Sequence, residues 1–400
     1  MKITWDRTRA RRRSGAMPTV ARSSFVLVLG TLALATIGCS SGSLTPAGAG
    51  GRGGASGPTG AGGAAGDVAG PNCTILPALE PLLTGLPSSV HGLRVSGNSL
   101  FFVDTGAGTP GVAGATGGVH RLNADGTGDG ILYAAQPGQQ LLDLIAGADT
   151  LYLLQQETTG TASRVFLYAM PQGGGIPARA TASSSGWAPN LIHFVGVDAG
   201  SVYLVTQDDV SGDARLTRVD LDSGYETVVA SSPGMRSAQL VGDWLYYYDA
   251  SSIYVTPAHA AGPSAAPVGT ISCAPRTMSV TTAAIYCGGG LGITRLNLMA
   301  TMATSAVDLS TVDSGEVNPS PPDGTSVYVA PMPSETESLV LTAIPRRGLR
   351  RLDADGSVTL VSCGRGIMHD IAFNATDVFW IESRDTDAGA VDTQIFRLAK

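Results

Sequence analysis

Lysine is almost missing from this chain, occurring only at positions 2 and 400. The body of the sequence therefore has essentially no amine for a phosphate loop or a Schiff base, its one lysine being the last residue, and both chemistries are excluded. Charged residues of both signs amount to 14%, against roughly 25% in an ordinary soluble domain. Coiled coils and helical bundles, which need abundant Glu, Lys, Leu and Ala at helical spacing, are excluded by the same poverty. A strongly charged disordered chain is excluded because 43% of residues are hydrophobic, enough to bury a sizeable core. No H-E-x-x-H or H-x-E…P-C-x-x-C occurs, and the single G-x-S-x-G match, Gly38–Gly42, follows directly on an apolar run and falls ahead of residues 72–400, so serine hydrolases, zincins and deaminases find no support in the body of the chain. No C-x-x-C or Cys/His cluster at zinc spacing supports a structural metal.

What is abundant is glycine, 53 residues, with 23 prolines, a mix that favours turn-rich β structure. Residues 1–38 carry Lys2 and six arginines against Asp6, so the net charge of −7 becomes −13 for the remainder. An acidic body lacks the basic stripe that nucleic acid requires, and no nucleic-acid partner is expected.

The only long apolar run, Phe25–Gly38, follows a basic segment and is too short to span a bilayer, as befits a signal-peptide core. Thr36-Ile37-Gly38-Cys39 resembles the bacterial lipobox, in which the cysteine is lipidated and becomes the mature N-terminus, although Thr stands where Leu is usual. The alternative is ordinary secretory cleavage nearby, with Cys39 incidental. Ser40 carries no retention signal of the Asp type, and by analogy with such lipoproteins the outer membrane is the expected location. In residues 40–71, 26 of 32 are Gly, Ala, Ser or Pro, a composition that forms no core and reads as a tether. The domains expected are thus a signal peptide at 1–38, a lipidated cysteine and tether at 39–71, and a folded body at 72–400.

That body repeats. A strand carrying an aliphatic-aromatic pair recurs as Leu100-Phe101, Leu151-Tyr152, Val202-Tyr203, Leu245-Tyr246, Ile285-Tyr286, Val327-Tyr328 and Val378-Phe379. A second element, strand then turn, recurs as Arg121–Gly126, Arg218–Gly224, Arg295–Asn297 and Arg351–Gly356. Seven units of four short strands each predict an all-β, seven-bladed β-propeller of four-stranded antiparallel blades. The seventh unit lacks its outer strand, and Thr74–Leu83 is expected to supply it, closing the ring with an edge that tolerates Pro77 and Pro81. Residues 72–400 resemble bacterial seven-bladed propellers related to the streptogramin-lyase-like and YWTD-like repeats. A six-bladed ring with one divergent unit is the competing fold.

With Cys39 assigned to lipid, four cysteines remain in a chain bound for an oxidising compartment, and three pairings are possible. Repeat register places Cys273 and Cys287 on neighbouring antiparallel strands, and elimination leaves Cys73 with Cys363. Free thiols are the alternative.

Ten residues before each aromatic stand His91, Leu142, His193, Arg236, Arg276, Asn318 and His369, in the register where a propeller's innermost strands enter near the channel mouth. Gln239 is an alternative to Arg236, because the turn at Gly242 is short. His91, His193 and His369 are candidate catalytic groups and metal ligands, since imidazoles converging on an axis serve as acid, base or ligand. The alternative is that they cap strand starts and bond neighbouring backbone. Arg236, Arg276 and Asn318 are binding candidates in the same register, while His120 and His259 read as surface residues. Loops between second and third strands are acidic: Glu157, Asp208, Asp209, Asp213, Glu335, Glu337, Glu382, Asp385, Asp387 and Asp392. Such a rim suits calcium or a cationic partner, or is solvated charge. Arg346, Arg347, Arg350 and Arg351 form the one basic cluster of the body.

The function expected is a monomeric, membrane-anchored extracytoplasmic propeller that binds a protein or glycan of the cell envelope without catalysis. The alternative is a metal-dependent lyase or lactone hydrolase with axial histidines, with a divalent metal or calcium as its possible cofactor.

Overall fold

The computed structural model describes residues 79–106, 117–183, 185–189, 192–249, 252–263, 265–270, 278–281, 284–289, 292–298, 304–308, 316–319, 327–332, 348–352, 358–363, 367–385 and 391–400. They form an all-β fold of seven four-stranded antiparallel sheets. The first described strand is β1 (Pro81–Leu86). Sheet 1 follows with β2 (Val90–Ser96), β3 (Ser99–Asp104), β4 (Gly118–Asn123) and β5 (Gly130–Ala134). Sheet 2 has β6 (Gln139–Ala146), β7 (Thr150–Thr159), β8 (Ala162–Pro171) and the two-residue β9 (Ala178–Arg179). Sheet 3 has β10 (His193–Val197), β11 (Ser201–Gln207), β12 (Ala214–Asp220) and β13 (Glu226–Ser232). Sheet 4 has β14 (Met235–Val241), β15 (Trp244–Asp249), β16 (Ser252–Pro257) and β17 (Ala266–Thr270). Sheet 5 has β18 (Met278–Val280), β19 (Ala284–Gly289), β20 (Gly292–Asn297) and β21 (Thr304–Asp308). Sheet 6 has β22 (Glu316–Pro319), β23 (Val327–Met332), β24 (Gly348–Leu352) and β25 (Val358–Cys363). Sheet 7 has β26 (Ile367–Phe373), β27 (Asp377–Asp385) and β28 (Val391–Ala399), and its fourth strand is β1.

Consecutive sheets touch through their inner strands. β2 meets β6, β6 meets β10, β10 meets β14, β14 meets β18 and β18 meets β22; β23 meets β26, and β26 returns to β2. This is the ring of a β-propeller. Closure is made by β1, whose Pro81 lies opposite Phe396 and Leu86 opposite Thr393. The expected closing segment, Thr74–Leu83, is thereby displaced towards the C-terminus: the observed strand begins at Pro81, and residues 74–78 lie outside the described residues. Proline has no N–H to give a ladder, and position one of an outermost strand is where that costs least.

The aliphatic-aromatic pairs are explained by where the second strand of each sheet sits. It is covered by neighbouring sheets on both faces, so successive side chains enter different cores. Leu100 and Phe102 of β3 pack with Phe379, Ile381 and Ile395 of sheet 7, whereas Phe101 and Val103 pack with Leu141, Leu144, Leu151 and Leu153 of sheet 2. Tyr152 and Leu154 continue the alternation against Val202 and Leu204 of sheet 3, and Tyr203 and Val205 against Leu245 and Tyr247 of sheet 4. Each such side chain contributes about 1.5–3 kcal/mol by leaving water.

All the first strands run in the same sense around the ring, so the sheets have two unlike ends. Connections from second to third strand, and from one sheet to the next, lie on one end, here the loop face. Connections from first to second and from third to fourth strand lie on the other, the turn face. On the turn face the sheets are tied by close approaches. Gly126, Gly174 and Gly224, at φ of +86°, +96° and +69°, each bring a third-to-fourth turn against the outer segment of the preceding sheet. Gly126 meets Leu82, Gly174 meets Leu132, and Gly224 meets the backbone of residues 180–182. At Gly126 and Gly224 a Cβ would come within 3 Å of its neighbour, so conformation and proximity together leave no room for a side chain, whereas at Gly174 the contact is an ordinary one and the left-handed conformation alone selects glycine.

Candidate functional site

Pairing fixes the axial register more exactly than counting does. His91 lies opposite Val103, His193 opposite Val205, Asn318 opposite Ala330 and His369 opposite Ile381, in each case two residues beyond the repeated aromatic. In sheet 2 the residue in that position is Asp143, opposite Leu154, because a bulge between Leu141 and Asp143 displaces Leu142. In sheet 4 it is Ser237, opposite Tyr248, because Arg236 falls in a bulge between Met235 and Ser237. Gln239 lies further along β14, and its side-chain oxygen accepts from the Val280 N–H of sheet 5 at 2.8 Å. Arg276 lies outside the described residues. The sequence count thus brought three histidines and Asn318 into one ring position and missed Asp143, the carboxylate that shares it.

The charged groups concentrate where sheets 7, 1 and 2 meet. His91 Nδ1 is 2.9 Å from the Ser89 carbonyl oxygen, and Nε2 is 2.7 Å from that of Leu142, across the boundary of sheets 1 and 2. A neutral imidazole has one N–H and serves one of these oxygens; the charged ring serves both. The same boundary is crossed by Arg94, which pairs with Asp143 at 3.4 Å. The other boundary is crossed by the Gly92 N–H, which donates to Asp370 Oδ2 at 3.1 Å.

Gly92 is the pivot of this arrangement. Its φ is +68°, and a Cβ there would stand 3.1 Å from Asp143 Oδ1. Asp370 has φ of 51°, the one positive value among the described non-glycine residues, and lies in a bulge of β26 between His369 and Ala372. Bulges re-aim side chains, and aspartate tolerates the left-handed region better than most residues. Burial pushes the Asp143 carboxyl above the usual carboxylate range; Arg94 draws it down, the charge on Asp370 pushes it up, and Leu144 N–H and His91 draw it down again.

The loop-face carboxylates are largely paired. Asp209 meets Arg164 of sheet 2 at 2.6 Å, Asp208 meets Arg215, and Asp392 meets Arg384 at 3.0 Å. Glu157 is built into a network. It accepts from Gln155 and Tyr168 and pairs with Arg179, whose guanidinium stacks 3.8 Å over Phe166. Glu382 is buried in β27. Glu335, Glu337 and Asp387 lie outside the described residues, as do Arg346 and Arg347, while Arg350 and Arg351 lie in β24.

Among the described residues no group of three or more His, Cys, Asp or Glu is arranged to hold a metal. With Nδ1 and Nε2 each within hydrogen-bond distance of a carbonyl oxygen, His91 directs neither ring nitrogen at a site for one in this arrangement. His120 is not the surface residue that its third-strand position suggested. It is flat against Phe102, with ring centroids 4.9 Å apart, because β4 of sheet 1 is partly covered. His259 is exposed, and faces Asp198 at 3.4 Å. Cys287 is buried in β19 and is not a free thiol. Cys73 and Cys273 lie outside the described residues, as does Cys39, and Cys363 ends β25.

No family model matches the chain, and no curated protein does. Solved structures do match. The β-propeller domain of the Trilobed protease from Pyrococcus furiosus, described as having an open velcro topology, aligns with a TM-score of 0.54 and 10% identity over 78% of this chain and 96% of its own. A prolyl endopeptidase aligns at 0.51 and 12% over 78% of this chain and 50% of its own. A chain of a mitotic checkpoint complex aligns at 0.51 and 10% over 81% of this chain and 96% of its own. At such identities the likeness is one of fold: this chain is built as β-propellers are, in its case with β1 and β28 joined.

Proposed function

We propose that the chain is a lipid-anchored extracytoplasmic propeller that binds a protein or glycan partner of the cell envelope through its loop face, without catalysing a reaction. The observation that carries this reading is the employment of the axial groups. His91, Arg94, Asp143 and Asp370 are spent on joining sheets 7, 1 and 2, and His91 turns both nitrogens to backbone oxygens. Groups so engaged hold a surface in shape; a general base or metal ligand keeps a lone pair for its substrate or ion. Around them the loop face presents Arg–carboxylate pairs and the Glu157–Tyr168–Arg179 network, planar polar groups beside aromatic rings, which suit a hydrogen-bonding partner. The anchor at Cys39 and the disulfides Cys273–Cys287 and Cys73–Cys363 belong to the same proposal, and rest on the sequence.

Immobilised protein is exposed to solubilised bacterial envelope beside an Arg164→Ala, Arg179→Ala variant of equal stability. A partner retained by the first and lost from the second supports the reading. Lyase or lactone-hydrolase turnover that vanishes on changing His91, His193 or His369 would replace it with the metal-dependent alternative.

A further inference from the structure

The chain enters the ring on the turn face. β1 starts there at Pro81, opposite Phe396, and runs towards the loop face, so Leu79 and Glu80 lie at the turn end of sheet 7. Thirty-nine residues lie between Cys39 and Leu79. The large apolar side chains left in water are divided unequally between the ends. Ile131 at the start of β5 is 62% exposed, Ile176 in the turn of sheet 2 is 92% exposed, Tyr225 in the turn of sheet 3 is 71% exposed and Trp244 at the start of β15 is 48% exposed. All four are on the turn face, in four consecutive sheets. The first three are linked by the abutting turns: Gly174, two residues from Ile176, rests on Leu132, and Gly224, next to Tyr225, rests on residues 180–182. Among the described residues the loop face offers only Val210 and Val391, in sheets 3 and 7, which are not neighbours.

We infer that the turn face is the side the ring turns to the bilayer, with Ile131, Ile176, Tyr225 and Trp244 entering the headgroup region and the loop face directed outward. The inference rests on the lipid anchor proposed above. An anchor whose chain joins the ring at this face brings this face to the lipid first, and Trp and Tyr rings, apolar in body and polar at one edge, suit that depth. In sheets 1 to 4, where the four apolar side chains lie, exposed Asp125, Asp149, Asp222 and Asp243 are on the same face, while the exposed cations Arg397 and Lys400 stand at the turn end of sheet 7. Contact with zwitterionic lipid is therefore favoured, and anionic lipid opposes it.

Trp187 and Trp380 are buried, so Trp244 is the exposed tryptophan among the described residues and reports on this face. The membrane-extracted chain is reconstituted into phosphatidylcholine vesicles with brominated acyl chains, and acylation of Cys39 is read by mass. Expected are quenching of Trp244 emission, weaker quenching when phosphatidylglycerol is included, and none in a Trp244→Phe, Val210→Trp variant, whose reporter is on the loop face. Acylated Cys39 with Trp244 unquenched, or with the Val210→Trp reporter quenched equally, overturns the orientation and leaves the anchor standing. An unacylated Cys39 overturns both.

Discussion

Replacing Gly92 by alanine tests the pivot of the axial cluster in isolation. A left-handed conformation costs an L-residue about 1–2 kcal/mol, and forcing a methyl group into a packed site costs about 1–3 kcal/mol. The new Cβ would stand 3.1 Å from Asp143 Oδ1, an atom already held by the Leu144 N–H at 2.8 Å and by Arg94, with Leu144 N and Val103 Cγ2 within 4 Å. The carboxylate thus has little freedom to give, and the two costs combine to about 2–5 kcal/mol. Two controls separate them. Gly97 has φ of +58° with nothing within 4 Å, so its alanine variant pays only the backbone cost, about 1–2 kcal/mol. Gly130 has neither positive φ nor a neighbour, so its alanine variant is neutral or slightly stabilising. Thermal unfolding of the three proteins at equal concentration should rank Gly92→Ala lowest, roughly 4–20 °C below the parent at about 2–4 °C per kcal/mol. If Gly92→Ala and Gly97→Ala melt together, Asp143 is not packed against Gly92 and the cluster as described is wrong.

Other outcomes follow from the same geometry. Because burial raises the Asp143 carboxyl, its ionised form burdens the folded state; the stabilising contribution is present below the unfolded value near 4 and is lost as pH rises through the folded value. Asp143→Asn should therefore raise the midpoint of unfolding at pH 7 and leave it unchanged at pH 3, as denaturant titration at the two pH values will show. Asp377 behaves in the opposite sense. The Arg397 guanidinium, 2.7 Å away, holds its carboxyl below the usual range, and that stability disappears as pH falls through the lowered value. Arg397→Ala leaves a buried carboxylate without its cation and should cost about 1.5–3 kcal/mol in the same assay. Trp380, fully buried and stacked on Phe396, should cost about 3–5 kcal/mol as Trp380→Ala. Deleting residues 79–86 uncovers the edge of β28, and size-exclusion chromatography should show aggregates that the parent does not form.

The architecture was legible in the sequence because the second strand of each sheet is enclosed on both faces, and so carries an aliphatic-aromatic pair wherever it recurs. Closure by an N-terminal strand was legible from the unit that lacked one, although Pro81 moved its start. The axial register is counted correctly where the inner strand carries its bulge between the counted residue and the hairpin, as it does after His91, His193 and His369. In β6 and β14 the bulge falls at Leu142 and Arg236 themselves, so Asp143 and Ser237 stand nine residues before the aromatic, and a bulge leaves no mark on composition. A search one residue either side of the count would have found Asp143. Asp370 needed backbone torsion to be noticed, and its meeting with Gly92 needed closure of the ring. The acidic rim looked like free charge because its arginine partners come from other strands or sheets, as Arg164 does for Asp209.

The claim that the axial register joins sheets and shapes a binding surface, instead of holding a catalytic metal, is tested most directly by metal content. The protein is purified without chelator beside a His91→Ala, His193→Ala, His369→Ala variant, and both are measured by elemental analysis. The account predicts no stoichiometric divalent metal in either protein and a lower unfolding temperature in the variant, whose link from His91 to Leu142 is gone. One metal ion per chain in the parent, lost in the variant, would contradict it.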